Sequence, residues 1–342
     1  MKIAVVLFNL GGPDSLRAVE PFLRNLFGDP AILTVPGFVR GPLGQIIARR
    51  RAPVAQEIYA KLGGRSPILE ETRAQAEALD KVLAERGLHA KCFIAMRHWH
   101  PLSNETVDAV KVWGADQIVL LPLYPQFSTT TTGSSFTDWA RAAREAHLDV
   151  PAVRLCCYPD APGFVEAMAA LIRYRLTSRR ADVNYRLLLS AHGLPKRTVA
   201  KGDPYQWQVE RSAKAIVDAL GTSDLDWQVC YQSRVGPLEW IGPSTDAEIT
   251  RAGKDGKGVI VAPIAFVSEH SETLVELDIE YADLAGKAGV PHYLRVPTVS
   301  AHPLFIAALA DLVMRTVRKT GTVSSTGMCI CPAAFRACAF KG

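Results

Sequence analysis

The sequence predicts an α/β protein with two Rossmann-like, doubly wound parallel-sheet domains. Apolar runs rich in β-branched residues alternate along the chain with amphipathic segments of helix length, the pattern of parallel sheets covered by helices. Strands are predicted at 2–8, 91–96, 117–124 and 152–157, and again at 186–190, 228–232, 259–266 and 292–296. Three strands of the second set follow their counterparts by about 140 residues, which predicts one topology for both halves.

The length of the chain favours two domains followed by a tail. At 342 residues it is longer than one hydrophobic core usually accommodates. We predict an N-terminal domain over residues 1–160 and a C-terminal domain over residues 161–302. A C-terminal helix and tail, residues 303–342, are expected to pack back on the body.

Composition and charge exclude several classes of protein. The net charge of +5 is modest and no Lys/Arg block is interleaved with aromatic residues, so nucleic-acid binding is not expected. Met1-Lys2 leads directly into the strand-length run IAVVLFNL without a cleavage site behind it, so we expect no signal peptide. No apolar stretch reaches the roughly 18 residues of a membrane span. These features predict a cytoplasmic protein that is still free to lie on a membrane surface.

The first two predicted strands are further apart than their counterparts in the second half. About 87 residues separate them, against about 41 in the C-terminal half. The surplus lies at about residues 28–67, here called the lip insertion, which contains the Arg49-Arg50-Arg51 triplet. Its apolar residues show little regular helical spacing: Ile32, Leu33, Val35, Phe38, Val39, Leu43, Ile46 and Ile47. Two interpretations stay open: an ordinary surface excursion, or an apolar lip over a cleft, lying in a membrane interface with its arginines at the headgroups.

Polar and glycine-rich motifs follow several predicted strands. Ligands of open parallel sheets bind beyond the carboxyl ends of the strands, so these motifs mark a candidate site. NLGGP lacks the G-x-G-x-x-G fingerprint of nicotinamide oxidoreductases, but Gly11 and Gly12 permit a tight turn and close approach of a flat ligand. The remaining motifs are MRHWHP with Arg97, His98 and His100, SAHGLP with His192, and QSRVGPLEWIGPSTD with Gln232, Ser233 and Trp240.

The stretch PIAFVSEHSETLVELDIEY, residues 263–281, is unusually acidic for a chain of positive net charge. If Ser268 is the N-cap of one regular helix, four carboxylates share a face about 80° wide: Glu269, Glu272, Glu276 and Glu280. The helix dipole favours acids in the first turn, yet like charges four residues apart repel. Two interpretations stay open: a solvated helix face, or a conduit for protons or hard cations.

Together, NLGGP, SAHGLP, QSRVGPLEWIGPSTD and PIAFVSEHSETLVELDIEY resemble the motifs of ferrochelatases, in that family's order, from about Ile3 to Leu312. Ferrochelatases insert ferrous iron into a porphyrin in the last step of haem synthesis. The resemblance implies the chelatase fold with a porphyrin cleft between its two domains, Fe²⁺ and protoporphyrin IX as substrates, and protohaem as product. NLGGP is similar to the protoporphyrin type; coproporphyrin III is the alternative substrate.

The resemblance also implies roles for single residues. His192 matches the histidine that takes the pyrrole protons, and Glu272 matches the acid that faces it. Three further residues continue an acidic path for protons or the substrate iron: Glu269, His270 and Glu276. Arg97, His98 and Tyr124 match the wall of the porphyrin cleft that lies opposite His192. Many members of the family have tyrosine at the position of His98. The porphyrin contacts are Leu10, Trp240 and Phe266 on the macrocycle, Arg51, Tyr59 and Ser66 on the propionates, and Gln232 and Ser233 nearby.

Three of the seven cysteines lie in the last fourteen residues: Cys329, Cys331 and Cys338. An odd total in a cytoplasmic chain argues against a disulfide framework, and thiols in a tail favour metal ligation. Some ferrochelatases hold a [2Fe–2S] cluster with such a tail and one distant cysteine, in several of them within the stretch that matches FSTTTTGSS, which has none here. The fourth ligand is then expected to be Cys157, with Cys156 as the alternative; zinc is the alternative metal.

Other functions compete with this interpretation. Another tetrapyrrole chelatase would insert a different metal into an earlier intermediate, but the long motif match and the apolar lip argue against it. A tetrapyrrole or metal carrier would bind without turnover and would have little use for His192 opposite Glu272.

The lip insertion further predicts a peripheral position on the inner face of the plasma membrane. Monomer and homodimer are both compatible with the sequence.

Overall fold

Two all-parallel sheets organise the chain in a computed structural model that describes residues 1–222, 224–234, 236 and 238–340. Contacts divide the described residues into an N-terminal unit, residues 1–157 and 309–330, and a C-terminal unit, residues 158–308 and 331–340. Each unit contains one sheet with helices packed on it.

The sheet of the N-terminal unit has the order β2-β1-β3-β4-β9. Its strands are β1 (Ile3–Asn9), β2 (Ala90–Met96), β3 (Gln117–Pro122), β4 (Ala152–Leu155) and β9 (Gly321–Val323). Its helices are α1 (Val19–Gly28), α2 (Gly37–Ala60), α3 (Ile68–Glu85), α4 (Ser103–Trp113) and α5 (Thr132–Glu145), with a 3-10 turn at Leu16–Ala18. Every residue of β1 and β3 is buried, as expected for central strands covered on both faces.

The sheet of the C-terminal unit has the order β6-β5-β7-β8. Its strands are β5 (Tyr185–His192), β6 (Asp226–Gln232), β7 (Gly258–Pro263) and β8 (Tyr293–Arg295). The helices that follow residue 158 are α6 (Pro162–Leu176), α7 (Lys196–Ala200), α8 (Tyr205–Leu220), α9 (Thr245–Lys254), α10 (Ser271–Leu274), α11 (Tyr281–Lys287) and α12 (Pro303–Thr316). A π-helical turn, Glu276–Glu280, joins α10 to α11.

The predicted α/β class and the repeated topology are confirmed. The order β2-β1-β3-β4 of one sheet corresponds strand for strand to β6-β5-β7-β8 of the other. All eight predicted strands are present, with ends that differ by a few residues. The ninth strand, β9, was not predicted, because three residues beside β4 give no periodic signal.

The lip insertion is more regular than its sequence suggested. It contains the whole of the 24-residue helix α2, although Pro42 and Pro53 lie inside that helix. The buried face of α2 is formed by small residues such as Gly44, where a Cβ atom would lie 3.0 Å from the carbonyl oxygen of Phe27 in α1. The large apolar residues lie elsewhere on the helix, so hydrophobic spacing did not reveal it.

The large apolar side chains of the lip insertion face solvent to an unusual degree. Phe38 is 84% exposed, Val54 is 61% exposed and Ile46 is 51% exposed. None of the eight apolar residues named for this insertion is fully buried. In the described part of the chain, no helix is long and apolar enough to cross a membrane.

Candidate active site

The carboxyl ends of three neighbouring strands gather the polar motifs of the C-terminal unit. β5 ends at His192, β6 ends at Gln232, and the acidic stretch with Glu272 follows β7. Because these strands are adjacent and parallel, their carboxyl ends meet at one edge of the sheet. The side chains of Gln232 and Glu276 are hydrogen-bonded there, next to the pair formed by His192 and Glu272.

His192 and Glu272 form a hydrogen-bonded pair at this edge. Nδ1 of His192 lies 2.7 Å from Oε2 of Glu272, and the imidazole is still 41% exposed. Burial disfavours the charged imidazolium, but the charge and hydrogen bond of Glu272 outweigh it and raise the pKa of His192. Burial also opposes ionisation of Glu272, yet interactions with His192, His270 and Ser233 lower its pKa to about 2. Glu272 is therefore a carboxylate at neutral pH and stabilises a proton on His192.

Glu276 has the opposite tendency, although it lies next to Glu272. Gln232 Nε2 donates to Oε2 of Glu276 at 3.0 Å, and the Tyr281 hydroxyl donates to Oε1 at 3.1 Å. Burial and the charge of Glu272 raise the pKa of Glu276 despite its hydrogen-bond donors. The Ser233 hydroxyl links the two acids, since it donates to Glu276 and lies 3.4 Å from Oε2 of Glu272. Two neighbouring carboxyls thus differ in proton affinity, which suits them to different roles.

Glu269 is held by a different partner. Nη1 of Arg295 lies 2.6 Å from Oε1 of Glu269, and the Thr298 amide donates to the same oxygen at 3.0 Å. Arg295 also binds Asp278 in the π-helical turn. Burial opposes the charge of Glu269, but these partners, Arg295 foremost, lower its pKa. Glu269 is therefore fixed as the anion of a buried ion pair.

The acidic stretch is not the single regular helix that the sequence predicted. Ser268 is buried in the preceding loop, and His270 is the N-cap of α10. The amide of Glu280 donates to the carbonyl of Val275 at 2.9 Å, five residues back, which is the bond of a π turn. The expected column of four carboxylates is therefore wrong, because a π turn changes the angle between successive residues. Glu272 and Glu276 share the cluster, whereas Glu280 is exposed.

An aromatic side chain, Phe266, lies beside the rings of His192 and His270. The ring of Phe266 is 4.8 Å from that of His270 and 6.4 Å from that of His192, between centroids. Burial lowers the pKa of His270, so its imidazole is neutral at pH 7. Trp240 lies against Gly193, where a Cβ atom would approach its ring to 3.2 Å. Its buried indole Nε1 has no hydrogen-bond partner among the described residues.

The N-terminal unit contains a second polar cluster, built around Asp29. The Arg97 guanidinium lies 2.9 Å from the Asp29 carboxylate and donates from Nε to the Ser134 hydroxyl at 2.6 Å. Ser134 in turn donates to Asp29. His98 is fully buried beside this network, and burial, assisted by the charge of Arg97, lowers its pKa to about 3. His98 is therefore neutral, and neither of its ring nitrogens has a hydrogen-bond partner in the part of the chain that the structure describes.

Two of the remaining predicted contacts of this unit, Leu10 and Tyr124, follow β1 and β3 closely in the chain. The Leu10 carbonyl accepts from the His98 amide at 3.0 Å, and burial raises the pKa of Tyr124, which keeps its hydroxyl proton. Ser66 lies so close to Gly12 that a Cβ atom there would be 2.5 Å from Ser66 Cβ. Because Gly12 has no side chain, Ser66 packs directly against it. The sequence analysis had explained the small size of Gly12 by close approach of a flat ligand. Tyr59 is buried on α2, and the guanidinium of the exposed Arg51 lies 5.8 Å from the Phe27 ring centroid.

Comparison with known proteins assigns the family. The family model for ferrochelatase matches residues 2–317. The chain belongs to the ferrochelatase family. A ferrochelatase of Phenylobacterium zucineum is 53% identical over 100% of this chain and 98% of its own length. Those of Caulobacter vibrioides and Pelagibacter ubique are 54% and 49% identical, over 95% and 92% of this chain and 93% and 91% of their own.

Solved chelatase structures share the fold. The sirohydrochlorin chelatase SirB of Bacillus subtilis subspecies spizizenii, in complex with cobalt, matches with a TM-score of 0.53 at 14% identity, over 92% of this chain and 95% of that chain. SirB from Bacillus subtilis with Fe³⁺ matches with a TM-score of 0.51 at 16% identity, over 93% and 96%. At such identities the likeness shows the fold alone, and it confirms the predicted chelatase fold.

Family membership confirms the predicted activity. The enzyme inserts ferrous iron into protoporphyrin IX and forms protohaem, with Fe²⁺ as a substrate. In the described residues, no group of three or more His, Cys, Asp or Glu side chains is arranged to hold a metal ion. The described side chains around His192 likewise form no such group, and His192 and Glu272 are hydrogen-bonded to each other.

The cysteines of this ferrochelatase lie in both units. Cys156 and Cys157 follow β4 and are buried, with their sulfur atoms 3.3 Å apart. Cys331 and Cys338 are also buried, and Cys329 is half-buried. Because the described side chains include no metal-binding group of three or more such residues, the [2Fe–2S] cluster and its zinc alternative stay predictions.

Several residues of the two clusters were missed by sequence reasoning. Asp29, Ser134 and Arg295 each bind a predicted site residue. Arg295 is the last residue of β8, but none of the three belongs to a motif that the sequence analysis singled out. Arg97 and Asp29 are 68 positions apart, and Arg295 and Glu269 are 26 apart. A lone charge at such a separation carries no local signal, and only the folded chain pairs it.

Proposed function

We propose that His192 and Glu272 are the catalytic pair at which this ferrochelatase removes the pyrrole protons of protoporphyrin IX. The supporting observation is the 2.7 Å contact between them at the carboxyl end of β5, with the imidazole still accessible. A neutral His192 with Nδ1 bonded to Glu272 presents Nε2 as the base. Glu272 stays ionised and stabilises the imidazolium that forms, as its low pKa requires.

The proton then needs an acceptor other than Glu272. The raised pKa of Glu276 makes it the better acceptor of the two acids, and the Ser233 hydroxyl lies between them. We infer that, after a pyrrole proton binds Nε2, the Nδ1 proton of His192 passes over Oε2 of Glu272 to the Ser233 hydroxyl, which gives its own proton to Glu276. Each inserted Fe²⁺ replaces two pyrrole protons, so a relay that empties His192 between transfers allows the second transfer. Glu269 and His270 border this path in the proposed mechanism.

Porphyrin binding is assigned to the remaining predicted residues. Leu10, Trp240 and Phe266 contribute apolar surface for the macrocycle, and Gln232 and Ser233 hold the carboxylates beside it. Arg51, Tyr59 and Ser66 are proposed propionate ligands, since guanidinium and hydroxyl groups are natural donors to carboxylates. Arg97, His98 and Tyr124 are proposed to line the porphyrin site as well. Packing that bends the ring would expose pyrrole lone pairs, which favours metal insertion.

The assay is anaerobic incubation with Fe²⁺ and protoporphyrin IX, followed by loss of porphyrin fluorescence. We expect His192→Ala and Glu272→Gln to lower kcat by at least about 100-fold, the usual size of a general-base contribution. His100→Ala is the control, because His100 is exposed and bonds to Glu105. Near-normal turnover of His192→Ala would remove this pair from the mechanism. Porphyrin binding without turnover by the unmodified enzyme would instead indicate a carrier.

We also propose that the lip insertion binds a membrane surface. Exposed Phe38 and Ile46 supply apolar area, and the Arg49-Arg50-Arg51 triplet supplies positive charge on the same helix. The protein should bind vesicles that contain phosphatidylglycerol more tightly than vesicles of phosphatidylcholine alone. Phe38→Ser combined with Ile46→Ser should weaken this binding at least tenfold. Val112→Ser, which alters a 90% exposed side chain on α4, should not.

We further propose that Cys329, Cys331 and Cys338 bind a [2Fe–2S] cluster together with Cys157. The proposal rests on the spacing of the three tail cysteines and on the thiolate preference of such clusters. Bound, the group would supply a redox-active centre, and the thiolates would hold it. A visible absorption band that bleaches with dithionite and is absent in Cys331→Ser would support it. A colourless protein with bound zinc would overturn it in favour of a zinc site.

A further inference from the structure

One hydrogen bond ties the main chain of His192 to the start of helix α8. The Tyr205 hydroxyl donates to the His192 carbonyl oxygen at 3.1 Å. Tyr205 is 7% exposed and is the first residue of α8. The bond joins Tyr205 to the main chain of His192, the residue whose ring meets Glu272.

The same turn of α8 binds the chain terminus. Gln208 Nε2 lies 3.2 Å from the sulfur of Cys331, and Gln208 is fully buried. The ring of Trp207 packs on Phe335, with 6.0 Å between centroids. Residues 331–340, here called the docked tail, thus contact two of the first four residues of α8. Tyr205 and Gln208 are three positions apart, which places them on one side of the helix.

The backbone that leads into α8 is also joined to the docked tail. The amide of Ala337 donates to the carbonyl of Gly202 at 3.1 Å. Gly202 has φ +95°, and a Cβ atom there would lie 2.8 Å from the amide nitrogen of Arg336. A glycine is required at this position both for its backbone conformation and for the closeness of the tail. Within the C-terminal unit, a continuous set of contacts therefore runs from the docked tail through residues 202–208 to His192.

We propose that Tyr205 is a positioning residue for His192 and that the docked tail is the support that keeps Tyr205 in place. The inference rests on the proposed role of His192 as the base. It gives the cysteine-rich terminus a physical effect on the reaction: seating of the tail sets the position of the imidazole. A shift of about 1 Å in a reacting group is enough to lower turnover substantially.

Tyr205→Phe tests the hydroxyl directly. The aromatic ring is kept and only the bond to the His192 carbonyl is lost, so the fold should persist. We expect kcat to fall about tenfold while the KM for porphyrin stays within twofold, because the base is misplaced and the porphyrin contacts are intact. The fall of kcat at acidic pH, here called the acidic limb of the kcat–pH profile, should also shift to lower pH, because a displaced imidazole interacts less with Glu272. The other groups that face His192, namely Glu276 and His270, are unaltered.

Gly202→Ala tests the tail. Its Cβ atom would force the docked tail away, and we expect the same fall in kcat and the same shift of the acidic limb. Gly221→Ala is the matched control: Gly221 flanks the other end of α8 with φ +69°, and a Cβ atom added there would meet no atom of the described residues within 4 Å. It carries similar backbone strain without touching the tail. In the double variant of Tyr205→Phe and Gly202→Ala, the two losses should not multiply, because both act through one bond.

Assaying His192→Ala beside these variants separates the two proposals. If His192→Ala is inactive while Tyr205→Phe and Gly202→Ala keep the kcat and pH profile of the unmodified enzyme, the positioning inference is overturned and the catalytic role stands. If His192→Ala stays active, the catalytic role itself is overturned. Should Gly202→Ala and Gly221→Ala lower kcat equally, the effect is backbone strain and the tail has no part in it.

Discussion

Ser233 holds both carboxylate oxygens of Glu276 at once. Its amide donates to Oε1 at 2.8 Å and its hydroxyl donates to Oε2. Ser233 adopts a left-handed backbone conformation with φ +60°, and in this conformation both donors reach the same carboxylate. Burial and the charge of Glu272 raise the pKa of Glu276, whereas these two bonds favour the ionised form. The proton affinity of Glu276 therefore depends on opposing effects, and loss of the Ser233 hydroxyl is enough to change it.

Replacement of Ser233 by alanine should disturb that balance. Ser233→Ala keeps the amide bond but removes the hydroxyl, so the pKa of Glu276 should rise further and the link to Glu272 should be lost. We expect a roughly tenfold lower kcat at pH 7, because proton release from His192 becomes slower. Steady-state assays measure it, with Ser178→Ala at an exposed serine as control. An unchanged kcat would exclude the hydroxyl from the proton path.

The pH dependence of kcat should report the protonation of His192. The base must be neutral, so kcat should fall as the pH falls through a pKa that lies above the ordinary histidine value of about 6.5. Glu272→Gln removes the charge that raises this pKa and leaves burial, which lowers it. The acidic limb of its residual activity should therefore move to lower pH.

Glu276→Gln tests the same limb independently. Glu276 contributes less than Glu272 to the raised pKa of His192, so the shift should have the same sign and a smaller size. Glu145→Gln, on the surface of α5 beside Arg141, is the control. Identical acidic limbs in all four proteins would show that another group limits the rate at low pH.

Arg295 should stabilise the fold around the acidic stretch. Its side chain is 11% exposed and pairs with Glu269, which is 16% exposed. Arg295→Met leaves Glu269 as an uncompensated buried charge, so the free energy of unfolding should fall by about 3 kcal/mol at pH 7. Urea denaturation measures it. Lys214→Met, which breaks an exposed pair with Asp218, should cost less than about 1 kcal/mol.

The effect of Arg295→Met should depend on pH in one direction. The pKa of Glu269 is lowered in the folded enzyme, so its stabilisation is present above the unfolded value of about 4.3 and is lost as the pH falls through the folded value. The difference between Arg295→Met and the unmodified enzyme should therefore shrink at acidic pH. A difference that is constant with pH would show that lost packing, not charge, is the cause.

Gly12→Ala should displace Ser66. The added Cβ atom would lie 2.5 Å from both Cβ and Oγ of Ser66, and overpacking of this kind costs about 1 to 3 kcal/mol. Because Ser66 is a proposed propionate ligand, the KM for protoporphyrin IX should rise several-fold with a smaller change in kcat. Gly28→Ala is the matched control, since among the described residues nothing beyond its own helix and chain neighbours would lie within 4 Å of a Cβ atom added there. A porphyrin KM equal to that of Gly28→Ala would contradict the proposed role of Ser66.

The positions of eight strands and the motifs at their ends were accessible from the sequence. Buried parallel strands are continuous apolar runs, and their spacing repeats between the two halves of the chain. The eight main strands, and one shared topology for both halves, could therefore be predicted. The same logic brings His192, Gln232 and the segment after β7 to one edge. Ferrochelatase membership also follows from sequence, because long motifs in a fixed order are specific.

Three features were decided only by the tertiary structure. The π turn at Glu276–Glu280 replaced the predicted column of carboxylates, because the hydrogen-bond register of a helix depends on what packs against it. Helix α2 went unrecognised because three of its four buried residues are glycine or alanine, which carry little hydrophobic signal. Arg295 and Asp29 gained their roles from partners distant in sequence.

The sequence alone therefore determined the eight main strands, the family to which the protein belongs and which side chains are brought to the edge of the C-terminal sheet. Those properties depend on local periodicity and on the fixed direction of parallel strands. The proton affinities of Glu272 and Glu276 were decided by tertiary structure, because burial and the distance between charges set a pKa, and neither is a local property of the chain.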